Sequence, residues 1–272
     1  MDLNLLNDVL DSFDQAVAQW SVALHPVALS LFWGLATVEW AWTWLRLMIS
    51  QRAGLDVVFE TYLRKATYLA FLLLLIDRSD SLLPLIIASF QRAGGTASGI
   101  TALHPSAFLN TGVTVALDLL SSLDASGFLT DPLGVAVAIL GSLMTLLAFF
   151  LMAASVMVTL IESFVVIGAT YVLLGFGASR WTYQLAEGAL SGVLRIGVKL
   201  MLTYLVAGVI ANLTTIWATQ LLEQSPIGPL QLYTFLGAST ACAALLWAIP
   251  RLASQLVPPG IHFGLKPVVF DN

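Results

Sequence analysis

The chain has 272 residues, 58% of them hydrophobic and 10% charged, with mean hydropathy +0.90. A soluble domain carries about 25% charged residues, so the composition excludes a soluble enzyme or binding module and implies a polytopic membrane protein. The net charge of -5 argues against direct, sequence-specific nucleic-acid binding, which needs clustered Lys and Arg.

Residues 1–26 place Leu3, Leu6, Leu10, Phe13, Val17, Trp20 and Leu24 at spacings of three and four, with Asp2, Asp8, Asp11 and Asp14 off that line. The pattern predicts an amphipathic helix with an acidic outer face, lying at a membrane surface. No Lys or Arg precedes Leu10 to form a signal-peptide head, so the first membrane helix is expected to be the insertion signal. Pro26 suits the first turn of a new helix, and 27–49 is long enough to span, with Glu39 near its middle and Trp33, Trp40, Trp42 and Trp44 along it. A loop over 50–57 leads to a second span, 58–77. Asp77, Arg78 and Asp80 then mark the far surface, because charges at depth are costly. Region 78–131 is expected to hold an interfacial helix over 82–90 and an amphipathic one over 105–123. Ala23-Leu24-His25-Pro26 and Ala102-Leu103-His104-Pro105 are the same tetrapeptide, read as two helix starts rather than a repeat.

The run from Pro132 to Trp181 is apolar apart from Glu162, small residues and its basic end. A helix that long would be roughly 70 Å, about twice a bilayer's hydrocarbon core. One crossing leaves Arg46, Arg52, Arg64, Lys65, Arg180, Arg195, Lys199, Arg251 and Lys266 all on the inner side, as the positive-inside rule asks; a hairpin would put three of them outside. No Pro, Asn or Asp stands between Leu133 and Arg180 to turn such a hairpin. The expected layout is all-α with five transmembrane helices, the N-terminus periplasmic and the C-terminus cytoplasmic. It has a long third helix over 132–177 bending near Glu162 or Gly168, a cytoplasmic loop 178–199, spans 200–222 and 230–250 joined by a periplasmic loop 223–229, and a cytoplasmic tail 251–272.

Glu39 and Glu162 are the intramembrane polar candidates; neither has a basic partner within its own span. His25, His104 and His262 are not spaced as metal ligands, and no nucleophile elbow, P-loop or HExxH occurs, so neither a metal, a catalytic residue nor an enzyme is expected. Gly188 with Gly192, and Gly237 with Ala241, are candidates for close helix packing, within one subunit or between subunits.

Tyr171-Val172-Leu173-Leu174-Gly175-Phe176-Gly177-Ala178-Ser179-Arg180-Trp181-Thr182, followed by Gly197-Val198-Lys199-Leu200, resembles the TrbL family of conjugative type IV secretion systems. Leu31 to Trp40 and Ser89 to Gly94 look like the same family, so the resemblance covers about 27 to 212. It implies a non-enzymatic inner-membrane scaffold and translocation subunit. Such a subunit would sit in a homo-oligomeric ring, a pentamer, with other inner-membrane, stalk and pilus subunits as partners, in contact with membrane lipids. No cofactor beyond structural phospholipids is implied. The long polar C-terminal region of several relatives has no counterpart before Asn272. Gly175, Phe176, Gly177, Ser179, Arg180, Trp181 and Lys199 are the candidate assembly residues: glycines for a tight bend, Arg180 for the cytoplasmic side, Trp181 for the headgroups. The rival reading is a transporter or channel conducting a small solute through its own bundle, which would need polar groups converging at mid-membrane.

Overall fold

A computed structural model describes residues 5–49, 55–100, 102–121, 132–223 and 229–257. Among them every regular element is a helix. In chain order these are α1 (Leu5–Ile49), α2 (Leu55–Asp77), α3 (Ser79–Ser98), α4 (Pro105–Ser121), α5 (Pro132–Leu173), a 3-10 turn (Leu174–Ala178), α6 (Tyr183–Glu223), α7 (Pro229–Ala248), a second 3-10 turn (Ile249–Leu252) and α8 (Ala253–Leu256). Four stretches are long and apolar enough to cross a membrane: Leu6–Ile49, Gly134–Ala178, Tyr183–Thr214 and Tyr233–Leu256. The expected second span is not among these four; Leu55–Asp77 carries Asp56, Glu60, Arg64, Lys65 and Asp77.

Three expected boundaries differ from the structure. Residues 1–26 and 27–49 are expected to form separate helices, yet α1 runs through Pro26. Proline's fixed φ is helical, and the carbonyl it leaves unpaired belongs to Val22, 76% exposed, on an accessible turn. The segment 178–199 is helical from Tyr183, since only Ser179 to Thr182 separate the 3-10 turn from α6. The third helix, expected over 132–177, gives way to a 3-10 turn at Leu174. The linkers around 50–54 and 224–228, and the tail beyond 257, lie outside the described residues.

Polar corners stop the helices between α2 and α4. Arg78 alone separates α2 from α3; its carbonyl accepts the N–H groups of Ser81 (3.2 Å) and Leu82 (2.9 Å), and the Ser79 hydroxyl donates to the Ile76 carbonyl at 2.7 Å. Asp77, Arg78 and Asp80 are all exposed. Helix α3 ends at Gly99, whose φ of 75° is the left-handed conformation that lets the Ile100 N–H reach back to the Gly95 carbonyl at 3.1 Å. Pro105 then opens α4, where its missing N–H costs nothing.

The chain divides into two compact units. One comprises the described residues of Met1–Ser12, Phe90–Ile161 and Val198–Ala253. Its interior holds Phe149 and Met152 of α5, Leu200 of α6 and Leu246 of α7, and the Ser155 hydroxyl donates to the Leu246 carbonyl at 3.2 Å. The other comprises the described residues of Phe13–Ser89, Glu162–Gly197 and Ser254–Asn272. Its apolar core gathers Ala28, Phe32 and Ala36 of α1, Leu72 and Ile76 of α2, and Leu174 and Ala178 of the 3-10 turn.

Candidate functional site

The site lies within the second unit, where the buried stripe of α1 changes character. Ala28, Phe32 and Ala36 follow one another at helical spacing, and the same face continues into Glu39 and Thr43. Helix α2 mirrors this, with Leu72 and Ile76 buried toward its C-terminal end and Thr61 and Lys65 toward its N-terminal end. One end of the helix pair therefore closes on carbon, the other on charge.

Glu39 is 3% exposed and Lys65 6%. The Lys65 ammonium donates to Glu39 Oε1 at 3.1 Å, to the Glu39 backbone carbonyl at 3.0 Å and to the Thr43 hydroxyl. Thr43 in turn donates to the Glu39 carbonyl at 2.8 Å. All three ammonium hydrogens thus have acceptors. The second carboxylate oxygen, Oε2, faces Arg180, with the guanidinium Nε at 3.5 Å and the Arg180 backbone N–H donating at 3.5 Å. Burying one ion costs several kcal/mol, and only good pairing and complete hydrogen bonding offset that cost. One carboxylate between two cations meets the first condition, while the buried Arg180 Nε makes an ion pair at 3.5 Å without a hydrogen bond.

Arg180 reaches Glu39 because the turn before it is held on several sides. The Tyr68 hydroxyl of α2 donates to the Gly177 carbonyl at 2.7 Å, and the Thr182 hydroxyl donates to the Phe176 carbonyl at 2.6 Å. Ser179 closes the 3-10 turn with extended backbone (φ -117°, ψ 142°). Its carbonyl accepts the N–H groups of Thr182 (3.1 Å) and Tyr183 (2.9 Å), and its hydroxyl accepts that of Trp181 at 3.4 Å. The glycines serve close approach rather than unusual backbone angles. A Cβ on Gly175 would stand 2.6 Å from the Ala28 carbonyl oxygen, and one on Gly177 would stand 3.2 Å from Ala186 and Leu72 side-chain atoms.

Aromatic rings flank the charges. The guanidinium carbon of Arg180 lies 5.6 Å from the Trp42 ring centre and 5.2 Å from that of Trp181, and the two indoles meet edge-on at 5.9 Å. Trp40 packs edge-on against Tyr62 at 5.2 Å with the Lys65 ammonium 5.8 Å from its ring. Each such cation–ring contact is worth about 0.5–2 kcal/mol, more as water is excluded. Trp181 nevertheless remains 57% exposed, an indole presented outward from a fixed base.

The structure thus joins Glu39 to Gly175, Phe176, Gly177, Ser179, Arg180 and Trp181. The basic partners that Glu39 lacks in its own span come from α2 and from the turn. Glu162 is exposed on α5 and Lys199 belongs to the first unit, so neither belongs to this cluster. Of the glycines expected at helix contacts, Gly188 and Gly237 have open space where a Cβ would be, and Gly192 makes only an ordinary contact with Val166 at 3.9 Å. Lys65, Thr43 and Tyr68 are members of this cluster that sequence reading did not single out, and Glu187 is a further buried acid of the same unit. The available signal was periodicity, because Lys65, Tyr68, Leu69, Leu72 and Ile76 fall on one face of α2. Among the described residues no three His, Cys, Asp or Glu side chains gather as metal ligands.

Comparison with known proteins agrees with the resemblance in the turn. The profile of the family described as "TrbL/VirB6 plasmid conjugal transfer protein" matches residues 36–249. A "Probable conjugal transfer protein TrbL" of Sinorhizobium fredii (strain NBRC 101917 / NGR234) is 28% identical over 208 residues, covering 75% of this chain and 51% of that protein. A "Conjugal transfer protein TrbL" of Rhizobium radiobacter is 24% identical over 205 residues, covering 75% of this chain and 50% of its own. The chain spans about half the length of these curated relatives. With the profile matched over more than half of the chain and several helices fit to cross a bilayer, this is a multi-pass membrane protein that belongs to the TrbL/VirB6 family.

Proposed function

We propose that this chain is a non-enzymatic inner-membrane scaffold and translocation-channel subunit of a conjugative type IV secretion system, supporting pilus assembly and DNA or protein transfer. The observation that carries the reading is the fixed turn at 174–182, tied through Arg180 and Tyr68 to α1 and α2 and ending in an exposed Trp181. A rigid base under an exposed indole is what a docking position needs, since little freedom remains to be lost on assembly. The reading includes a homo-oligomeric ring, a pentamer, in contact with other secretion-system inner-membrane, stalk and pilus subunits. It also includes five crossings, with the N-terminus outside and Trp181 and the C-terminus inside. Helix α2 supplies the fifth crossing: its 23 residues would rise about 34 Å, and pairing Lys65 with Glu39 removes the largest objection to submerging it.

The test is complementation of a donor strain lacking the gene. Trp181→Ala is expected to lower conjugative transfer by at least about tenfold at unchanged membrane abundance, a loss equivalent to one contact of about 1.4 kcal/mol. Wild-type protein in mild detergent is expected to run as a discrete ring. Normal transfer by the variant, with a monomeric wild type, would reject the scaffold. In a Cys242→Ser background, a cysteine beside Trp181 that an impermeant reagent labels from the periplasm of intact cells would reject the sidedness.

A further inference from the structure

Next to the exposed Trp181, the guanidinium of Arg180 is only partly engaged. Its Nε is buried and faces Glu39 Oε2 at 3.5 Å without a hydrogen bond. Among the described residues no hydrogen bond reaches its two terminal nitrogens either, and the side chain is 15% exposed. A guanidinium carries five N–H donors in one plane, so the four on the terminal nitrogens remain as a fork for an acceptor. The fork lies in the corner of two indoles that meet at 65°, the guanidinium carbon 5.6 Å from the Trp42 ring centre and 5.2 Å from that of Trp181. Trp42 is 39% exposed and Trp181 57%, so the corner opens to the surface.

Charge points the same way. Among the described residues Glu39 is the only carboxylate paired with Lys65 or Arg180, so this cluster carries one positive charge in excess. Arg46 adds another at the exposed surface, one helical turn beyond Trp42. No Asp or Glu occurs from Trp40 to Ile49 or from Phe176 to Ala186. We infer that Arg180, Trp42 and Trp181 form a carboxylate-binding site for an Asp or Glu on a segment of another secretion-system subunit, with a bulky apolar residue of that segment laid on the Trp181 ring. The inference rests on the docking role given to Trp181 above and names the chemistry of what docks there. A carboxylate is planar and takes a guanidinium fork two oxygens at a time, and it brings the charge that the cluster lacks. Trp and Arg are also the side chains that most often dominate protein interfaces. A phosphate headgroup would pair with a mobile cation equally well. This guanidinium is instead held by Glu39 and by a turn that the Tyr68 and Thr182 hydroxyls fix, the pre-organisation that a directional protein contact rewards.

The experiment probes the purified full chain in mild detergent against overlapping peptides that tile the other subunits of the secretion system and this chain itself. Peptides bound by wild type are expected to carry an Asp or Glu beside a bulky apolar residue. Changing that acid to Asn or Gln is expected to weaken binding about tenfold, the scale of one hydrogen bond to a charged group. Arg180→Lys keeps a cation for Glu39 but removes the fork, and is expected to weaken the same peptides about tenfold. Arg46→Glu, exposed and outside the Glu39 cluster, is expected to weaken them about threefold at low salt, the scale of a surface ion pair. Binding that survives loss of the acid, binding confined to this chain's own peptides, or no peptide bound at all would each overturn the assignment. Displacement of the peptides by phosphatidylglycerol micelles but not by phosphatidylcholine would give the fork to a lipid phosphate and overturn it too. If Trp181→Ala depresses transfer while no acidic peptide binds, the docking role stands and this inference alone fails.

Discussion

The α1–α2 pair closes at one end on Phe32, Leu72 and Ile76 and at the other on Glu39, Thr43 and Lys65, along continuous buried faces. The two ends hold the helices together for different reasons. At the apolar end, shape and lost dispersion set the cost of a change, and many hydrophobic replacements of similar volume would serve. At the charged end the net gain is small, but the requirement is specific: a carboxylate must meet an ammonium and the Arg180 turn together. The contrast suggests that packing gives this unit its stability and the ion cluster fixes where Trp181 points.

Substitutions can break or sharpen that contrast. Glu39→Ala should have the largest effect, about 4 kcal/mol of destabilisation in thermal unfolding in detergent, because it strands two cations. A double change, Glu39→Leu with Lys65→Leu, should recover only part of that loss, since Arg180 stays stranded, and a cycle with the two single Leu variants should show a coupling of about 2 kcal/mol. If the two changes simply add, the charged end is no lock. Leu72→Ala at the apolar end should cost about 3 kcal/mol by the same assay, with no coupling to Glu39. Gly175→Ala should cost about 2 kcal/mol, since its methyl meets the Ala28 carbonyl oxygen at 2.6 Å and the backbone must shift. Trp181→Ala should cost only about 1 kcal/mol, the part-exposed ring contacts with Arg180 and Trp42, while it depresses transfer. A large stability loss there would mean that the indole serves packing rather than docking.

The helical class and the turn were legible in the sequence because composition and a short Gly-Phe-Gly-x-Ser-Arg-Trp run carry them. The identical tetrapeptides ending at Pro26 and Pro105 show the limit. One proline opens α4 and the other lies inside α1, although their local chemistry is the same. Local sequence sets what a proline permits, while the surrounding contacts set which option is used. Glu39 could be flagged as a buried acid, but Lys65 is 26 positions away and Arg180 is 141, and no local pattern announces pairing over such separations. The glycines divide in the same way. Gly188 and Gly192 look like a helix-packing pair from their spacing, whereas Gly175 makes the tight approach.

Lys65 carries one more consequence. Its ammonium has three hydrogens, and a carboxylate, a carbonyl and a hydroxyl occupy them all. Turning the Lys65 head group therefore means breaking three hydrogen bonds at once, so α1 and α2 are fastened in one register at this level.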